Sequence, residues 1–321
     1  VRQISQVVGQ VVDLIDCSLG QDYEKRLKFY TESRELFKRM ESVQYQLVDK
    51  ALNLAMSVRQ RYQAVKMSRF RGFLQACVAF AYITIPSISY DYLRLQTYLQ
   101  TCQVAFQCHC IGQAEASVEA IISSLQQQPL GGLEGRPLIL SDFLPSFLSF
   151  VILLPSDSPN DLVTTKLIKL TLKTASDMAS LSSPAEQLSL MSLIVKSLHC
   201  LKTLGQERYP YHIEAVASND TLWFHQNQDF PSRTSFRLIL DLLDLIISRL
   251  EYFYQQNMAT TGNFIVVQVL IFLKTLPRKN SEKKTLDSCQ ETLEALLNKH
   301  DQQLDKKTKF LLKYYREQPK E

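Results

Sequence analysis

Cys102, Cys108, His109 and Cys110 bring metal-ligating side chains close together in the sequence. Structural zinc takes four ligands, commonly from paired C-x2–4-C knuckles. Cys-His-Cys in direct succession instead points its side chains in different directions on a helix. The expected state is therefore buried free thiols, since unliganded cysteine packs as a small hydrophobe. The histidines (His109, His199, His212, His225 and His300) form no H-E-x-x-H pair, and no G-x-S-x-G elbow is present. His212 reads as a hydrogen-bonded structural residue. Gly131-Gly132-Leu133-Glu134-Gly135 follows no strand pattern and lacks the G-K-[ST] ending of a phosphate loop, so it reads as a plain turn. No catalytic, cofactor-binding or metal site is expected, no cofactor is implied, and the chain reads as no enzyme.

If chemistry is absent, the elements must carry the function. The 321 residues are 45% hydrophobic and 21% charged, an ordinary globular balance that excludes disorder. Nine glycines and eleven prolines are few for a doubly wound α/β enzyme, while the abundant Leu, Gln, Lys and Glu favour helix. A net charge of +4 is too mild and too dispersed to demand nucleic acid. Seven cysteines with no regular framework fit free thiols in a reducing cytosol. The first residue is Val1, and a helical pattern starts at once, which reads as a fragment cut from something longer. No stretch reaches the roughly 20 apolar residues a spanning helix needs.

Apolar periodicity then predicts helix after helix. Residues 1–17 place Ile4, Val7, Val8, Val11, Val12, Leu14 and Ile15 on one face. Asp22 caps a helix over 23–39 with Leu27, Tyr30, Leu36 and Phe37 as core, and Ser42 caps another over 43–62. Residues 70–85, with Phe73, Leu74, Cys77, Val78, Phe80, Tyr82 and Ile83, are apolar nearly all round, and Pro86 ends them. Further helices are expected over 90–110, 111–128, 141–154 and 162–179, and from a capping box at Ser183-Pro184-Ala185-Glu186 to near Gly205. The remainder lie over 235–257, 262–276, 281–299 and 302–315. Residues 128–137 form a loop and 209–233 an irregular segment. About twelve helices paired every 35 to 45 residues or so predict an all-α, HEAT-like α-solenoid of stacked antiparallel helix pairs. It is read as a single solenoid over 1–321, with faces free for partners.

The candidate partner-binding residues are aromatic. Trp223 and Phe224 sit in a polar segment, where they either anchor a partner or fold back to plug a helix pair. Tyr209, Tyr211 and His212 precede them. Tyr252, Phe253 and Tyr254 are consecutive and cannot all face one core, so at least one meets solvent, another helix or a partner. The lysines Lys279, Lys283, Lys284, Lys306, Lys307, Lys309 and Lys313 read as a solvated helix face, with attraction to anionic lipid as the alternative.

Several segments, in order, carry a resemblance. They are Asp22-Tyr23-Glu24-Lys25-Arg26-Leu27-Lys28-Phe29-Tyr30-Thr31-Glu32-Ser33-Arg34, Ala81-Tyr82-Ile83-Thr84-Ile85-Pro86-Ser87, Arg94-Leu95-Gln96-Thr97-Tyr98-Leu99 and Gln113-Ala114-Glu115-Ala116. Tyr209-Pro210-Tyr211-His212-Ile213-Glu214 and Ser218-Asn219-Asp220-Thr221-Leu222 continue the series. Together they resemble the vacuolar protein sorting 35-like family, the large scaffold of the retriever complex within the Commander assembly. Arg249-Leu250-Glu251-Tyr252-Phe253-Tyr254 is also similar to a tyrosine-rich helix of the paralogous retromer scaffold. The resemblance implies a scaffold recycling membrane cargo from endosomes, cytoplasmic and peripheral on them through its partners. It implies that the C-terminal helices grip the phosphoesterase-fold vacuolar protein sorting 29 subunit on their concave side. An arrestin-like vacuolar protein sorting 26-type subunit would bind through a missing N-terminal part. Coiled-coil and COMM-domain proteins of Commander and a sorting nexin cargo adaptor are further implied partners. The alternative is a generic HEAT-repeat interaction scaffold, of nuclear transport or phosphatase type, unrelated to endosomes.

Overall fold

A computed structural model describes residues 2–61, 67–127, 134–151, 169, 184–204, 233–255, 258–276, 283–300 and 304–317. Most of the expected 162–179 helix, the loop up to residue 133 and the irregular segment up to residue 232 lie outside these. The described residues hold twelve helices, three short helical turns and no strand. The all-α fold is that of an α-solenoid, with successive helices packed pairwise. The chain divides into two compact units, Val1–Ile139 and Leu140–Glu321.

The first unit contains α1 (Arg2–Ser18), α2 (Tyr23–Leu36), α3 (Glu41–Arg61), α4 (Met67–Thr84), α5 (Asp91–Gln107) and α6 (Ile111–Gln127). The pairs α3–α4 and α5–α6 pack most extensively, and α1 lies on α3 while α2 touches both α3 and α4. Asp22 caps α2 as expected, its carboxylate accepting from the Lys25 N–H at 3.1 Å. Helix α4 stops at Thr84, and Pro86 sits in a 3-10 turn, Ile85–Ser87. Ser42 is no cap, because α3 already begins at Glu41. The Glu41 carboxylate instead accepts from the Ser89 and Tyr90 N–H groups at 2.7 and 3.2 Å. It thus satisfies donors that open α5, whose own N-cap residue Tyr90 makes no side-chain cap.

Two expected core residues of α2 and α4 prove exposed. Leu36 is 76% exposed at the end of α2, and Ile83 lies outward on α4. Helix α1 keeps the expected apolar stripe but turns it to solvent: Ile4, Val7, Val11, Leu14 and Ile15 are all exposed. Its buried face is Ser5, Gly9, Val12 and Asp16. The cause is electrostatic and steric. Asp16 accepts from Arg26 of α2 through both Nε (2.8 Å) and Nη2 (2.9 Å), and from Lys50 of α3 at 3.1 Å. The Tyr30 hydroxyl also donates to it. Gly9 lets the backbone approach α3, where its carbonyl accepts from Gln46 at 3.1 Å; a Cβ there would lie 2.6 Å from the Gln46 Oε1. A carboxylate held by two cations fixes the roll of α1 more strongly than its stripe does.

Beyond α6, Gly135 has φ 76°, and a Cβ would meet the Tyr90 hydroxyl at 2.5 Å. Asp91, itself paired with Arg94, accepts from the Glu134 N–H at 3.0 Å and pins this turn to the start of α5. Arg136 and Pro137, expected in the loop, instead join Leu138 in a helical turn, Arg136–Leu138.

The second unit contains α7 (Leu144–Val151), α8 (Pro184–Leu204), α9 (Arg233–Gln255), α10 (Ala259–Lys274), α11 (Lys283–Lys299) and α12 (Lys306–Glu317). Helix α10 is central, touching α8, α9, α11 and α12. Its sequence explains this, since Ile265, Val266, Val267, Val269, Leu270, Phe272 and Leu273 are buried on several sides. Helix α9 buries the stripe Leu238, Ile239, Leu242, Leu243, Ile246, Leu250 and Phe253. No described helix is long and apolar enough to cross a membrane.

Candidate partner-binding surface

The cysteine–histidine run occupies the α5–α6 connection. Cys102, Cys108 and Cys110 are buried, together with Cys77 of α4, and all are free thiols. His109 between them has φ 57°, a left-handed conformation that turns the chain and directs the imidazole to solvent. The Cys102 thiol donates to the Ala114 carbonyl at 3.2 Å. Burial pushes the Cys77 and Cys102 thiols up to about 12 and the Cys108 thiol up to about 11. Nucleophilic thiolate is therefore scarce at neutral pH. Among the described residues, no group of three or more His, Cys, Asp or Glu side chains is placed to hold a metal ion.

Of the seven candidate contact residues, Tyr209, Tyr211, His212, Trp223 and Phe224 lie outside the described residues. The structure separates the other two. Phe253 enters the core, leaving Tyr252 and Tyr254 on different sides of α9. Tyr254 is committed inside the unit. Its ring stacks on His300 with centroids 4.0 Å apart, and its hydroxyl donates to Asn263 Oδ1 at 2.9 Å. Asn263 is buried and donates to the His300 carbonyl at 3.0 Å, so three helix ends are tied at one point. Burial pushes the Tyr254 phenol up to about 12. A Cβ on Gly262 would lie 3.1 Å from the Tyr254 ring, so the close approach of α9 and α10 depends on this glycine. Tyr252, by contrast, is 38% exposed on the outer side of α9.

Two exposed surfaces carry apolar residues that local sequence patterns did not single out as sites. One is the outward stripe of α1. The other is the outer face of α12, where Phe310 and Tyr314 stand exposed among the lysines that the sequence does mark. Their signal was present in the apolar period, but a period names a face without naming its neighbour.

With this geometry in place, the chain can be set beside known proteins. A family model for the VPS35L C-terminal domain matches residues 1–321. The chain is similar to the VPS35 endosomal protein-sorting factor-like protein of Homo sapiens, with 33% identity over 227 residues, covering 69% of this chain and 23% of that protein. It is 30% identical over 313 residues to the VPS35 endosomal protein sorting factor-like protein of Drosophila melanogaster, covering 96% of this chain and 31% of that one. The corresponding Dictyostelium discoideum protein is 28% identical over 303 residues, covering 93% and 28%. The chain thus spans between about a quarter and a third of the length of the curated relatives it matches.

Proposed function

The chain belongs to the VPS35L C-terminal domain family, and on that premise we propose that it is a non-enzymatic scaffold segment of a retriever-like endosomal recycling assembly. The observation carrying the reading is the family match along all 321 residues. The packed α-helical architecture supports it. The helices of residues 140–321 seat the vacuolar protein sorting 29 subunit, with Tyr252 as a contact residue. An arrestin-like vacuolar protein sorting 26-type subunit binds an upstream part of the parent polypeptide. The coiled-coil and COMM-domain proteins and the sorting nexin adaptor assemble around that core, on the cytoplasmic face of endosomes.

The mechanism is multivalent holding. Each packed helix pair is a stiff unit, so bound subunits are kept at set distances and weak contacts raise one another's effective concentration. No bond is made or broken. The scaffold instead reduces the orientational freedom that each contact would otherwise have to offset alone. The alternative of a nuclear transport or phosphatase scaffold has no comparable support, because the family match leaves no part of the chain unassigned.

Immunoprecipitation of the parent protein from cells tests the reading. The expected result is co-recovery of the vacuolar protein sorting 29 and 26-type subunits, with staining on endosomes. Nuclear staining and recovery of transport receptors without either subunit would overturn it.

A further inference from the structure

Helix α12 is anchored by one side and displays the other. Asp305 caps it, accepting from the Thr308 N–H at 2.8 Å. Thr308 and Leu312 are buried beneath it, and Tyr315 is clamped from three directions. The Tyr315 hydroxyl donates to Glu294 at 2.7 Å and accepts from Gln290 at 3.0 Å, while the Lys274 ammonium lies 4.6 Å from its ring. With this inner side fixed, helical geometry places Lys306, Lys309, Phe310, Lys313, Tyr314 and Glu317 along the outer side. All are exposed, Phe310 by 70% and Tyr314 by 47%. The helix carries Lys306, Lys307, Lys309, Lys313 and Arg316 against the single carboxylate Glu317, a net charge of +4 over 12 residues.

We propose that the outer face of α12 rests directly on an anionic lipid bilayer. Two features on the same face point there. Aromatic rings at i and i+4 sit at headgroup depth when a helix lies in the interface plane. Flanking ammonium groups then meet lipid phosphates and carboxylates, each contributing roughly a fivefold gain in partitioning. The outer surface of a single helix is convex and offers no groove to an acidic peptide, whereas a flat bilayer meets it along its length. The contact goes beyond the scaffold reading, in which the membrane is reached through partners. It also places a weak lipid contact on the very segment that would hold a partner.

Cosedimentation of the 321-residue chain with vesicles tests this without any partner protein, so a negative result leaves the scaffold reading intact. Vesicles of phosphatidylcholine alone are compared with vesicles carrying about one-third phosphatidylserine. The expected result is binding to the second only, falling at least about tenfold when salt rises from roughly 0.1 to 0.5 M. The triple variant Lys306→Glu, Lys309→Glu, Lys313→Glu should lose at least about tenfold in partitioning. Phe310→Ser should lose roughly fivefold, since it removes the inserted ring but no charge. Circular dichroism of both variants confirms that the helices persist. Absence of binding to the anionic vesicles, or binding that both folded variants retain in full, would overturn the proposal.

Discussion

Asp16 is the residue on which the first unit turns. Burial alone would push its carboxyl up, but the hydrogen bonds from Arg26, Tyr30 and Lys50 outweigh that and hold it at about 2. Its folded pKa is therefore below the unfolded value of about 3.9. The associated stability is fully present above that value and is lost as pH falls towards about 2, and it amounts to something on the order of 2 kcal/mol. Asp16→Asn should destabilise the chain by about 2–4 kcal/mol near neutral pH, because the part-buried Arg26 keeps its charge and loses its carboxylate, while Lys50 is left with Asp13 alone, 2.8 Å away. Urea melts of both proteins check the sign: the gap should narrow as pH drops from about 4.5 to about 2.5. A gap that stays constant or widens would contradict the assignment. The thiols give a second residue-scale test. Cys17 is exposed, whereas Cys77, Cys102, Cys108, Cys110 and Cys200 are buried. A maleimide reagent should label Cys17 in the native chain and reach those five only after denaturation, as read by peptide mass spectrometry. Native labelling of Cys102 at the rate of Cys17 would place the α5–α6 pair wrongly.

At the scale of the element, α1 shows how much a helical period leaves open. Its spacing identifies a helix with one apolar face, yet that face looks outward and the small, polar side is buried. Val12→Ala should therefore cost about 1–3 kcal/mol, since it empties a packed position. Leu14→Lys, on the more apolar-looking side, should change stability by under about 0.5 kcal/mol in this chain. Thermal melts of the two variants check the order, and the reverse order would mean that α1 is rolled by half a turn. Helix ends divide in the same way. Asp22 and Pro86 act through their own local backbone, and both behave as their sequence says. Ser42 does not, because α3 already begins at Glu41, and the Glu41 carboxylate serves the donors at the start of α5, Ser89 lying 48 residues further along the chain. Long-range caps of this kind have no local pattern to reveal them.

At the scale of the whole molecule, the all-α class was legible because apolar spacing, scarce glycine and proline stops agree along the chain. The family was legible in the succession of sequence segments around residues 22–125 and 209–222. The site was less so. Tyr254 and Tyr252 look alike in sequence, yet the first is tied to His300 and Asn263 and the second faces out, a division set by which side of α9 meets α10. Titration calorimetry of the purified 321-residue chain with the purified vacuolar protein sorting 29 subunit tests the central claim most directly. The account predicts saturable one-to-one binding at about micromolar affinity or tighter, weakened about tenfold or more by Tyr252→Ala. No heat of binding at concentrations up to about 100 micromolar, with both proteins folded, would contradict it.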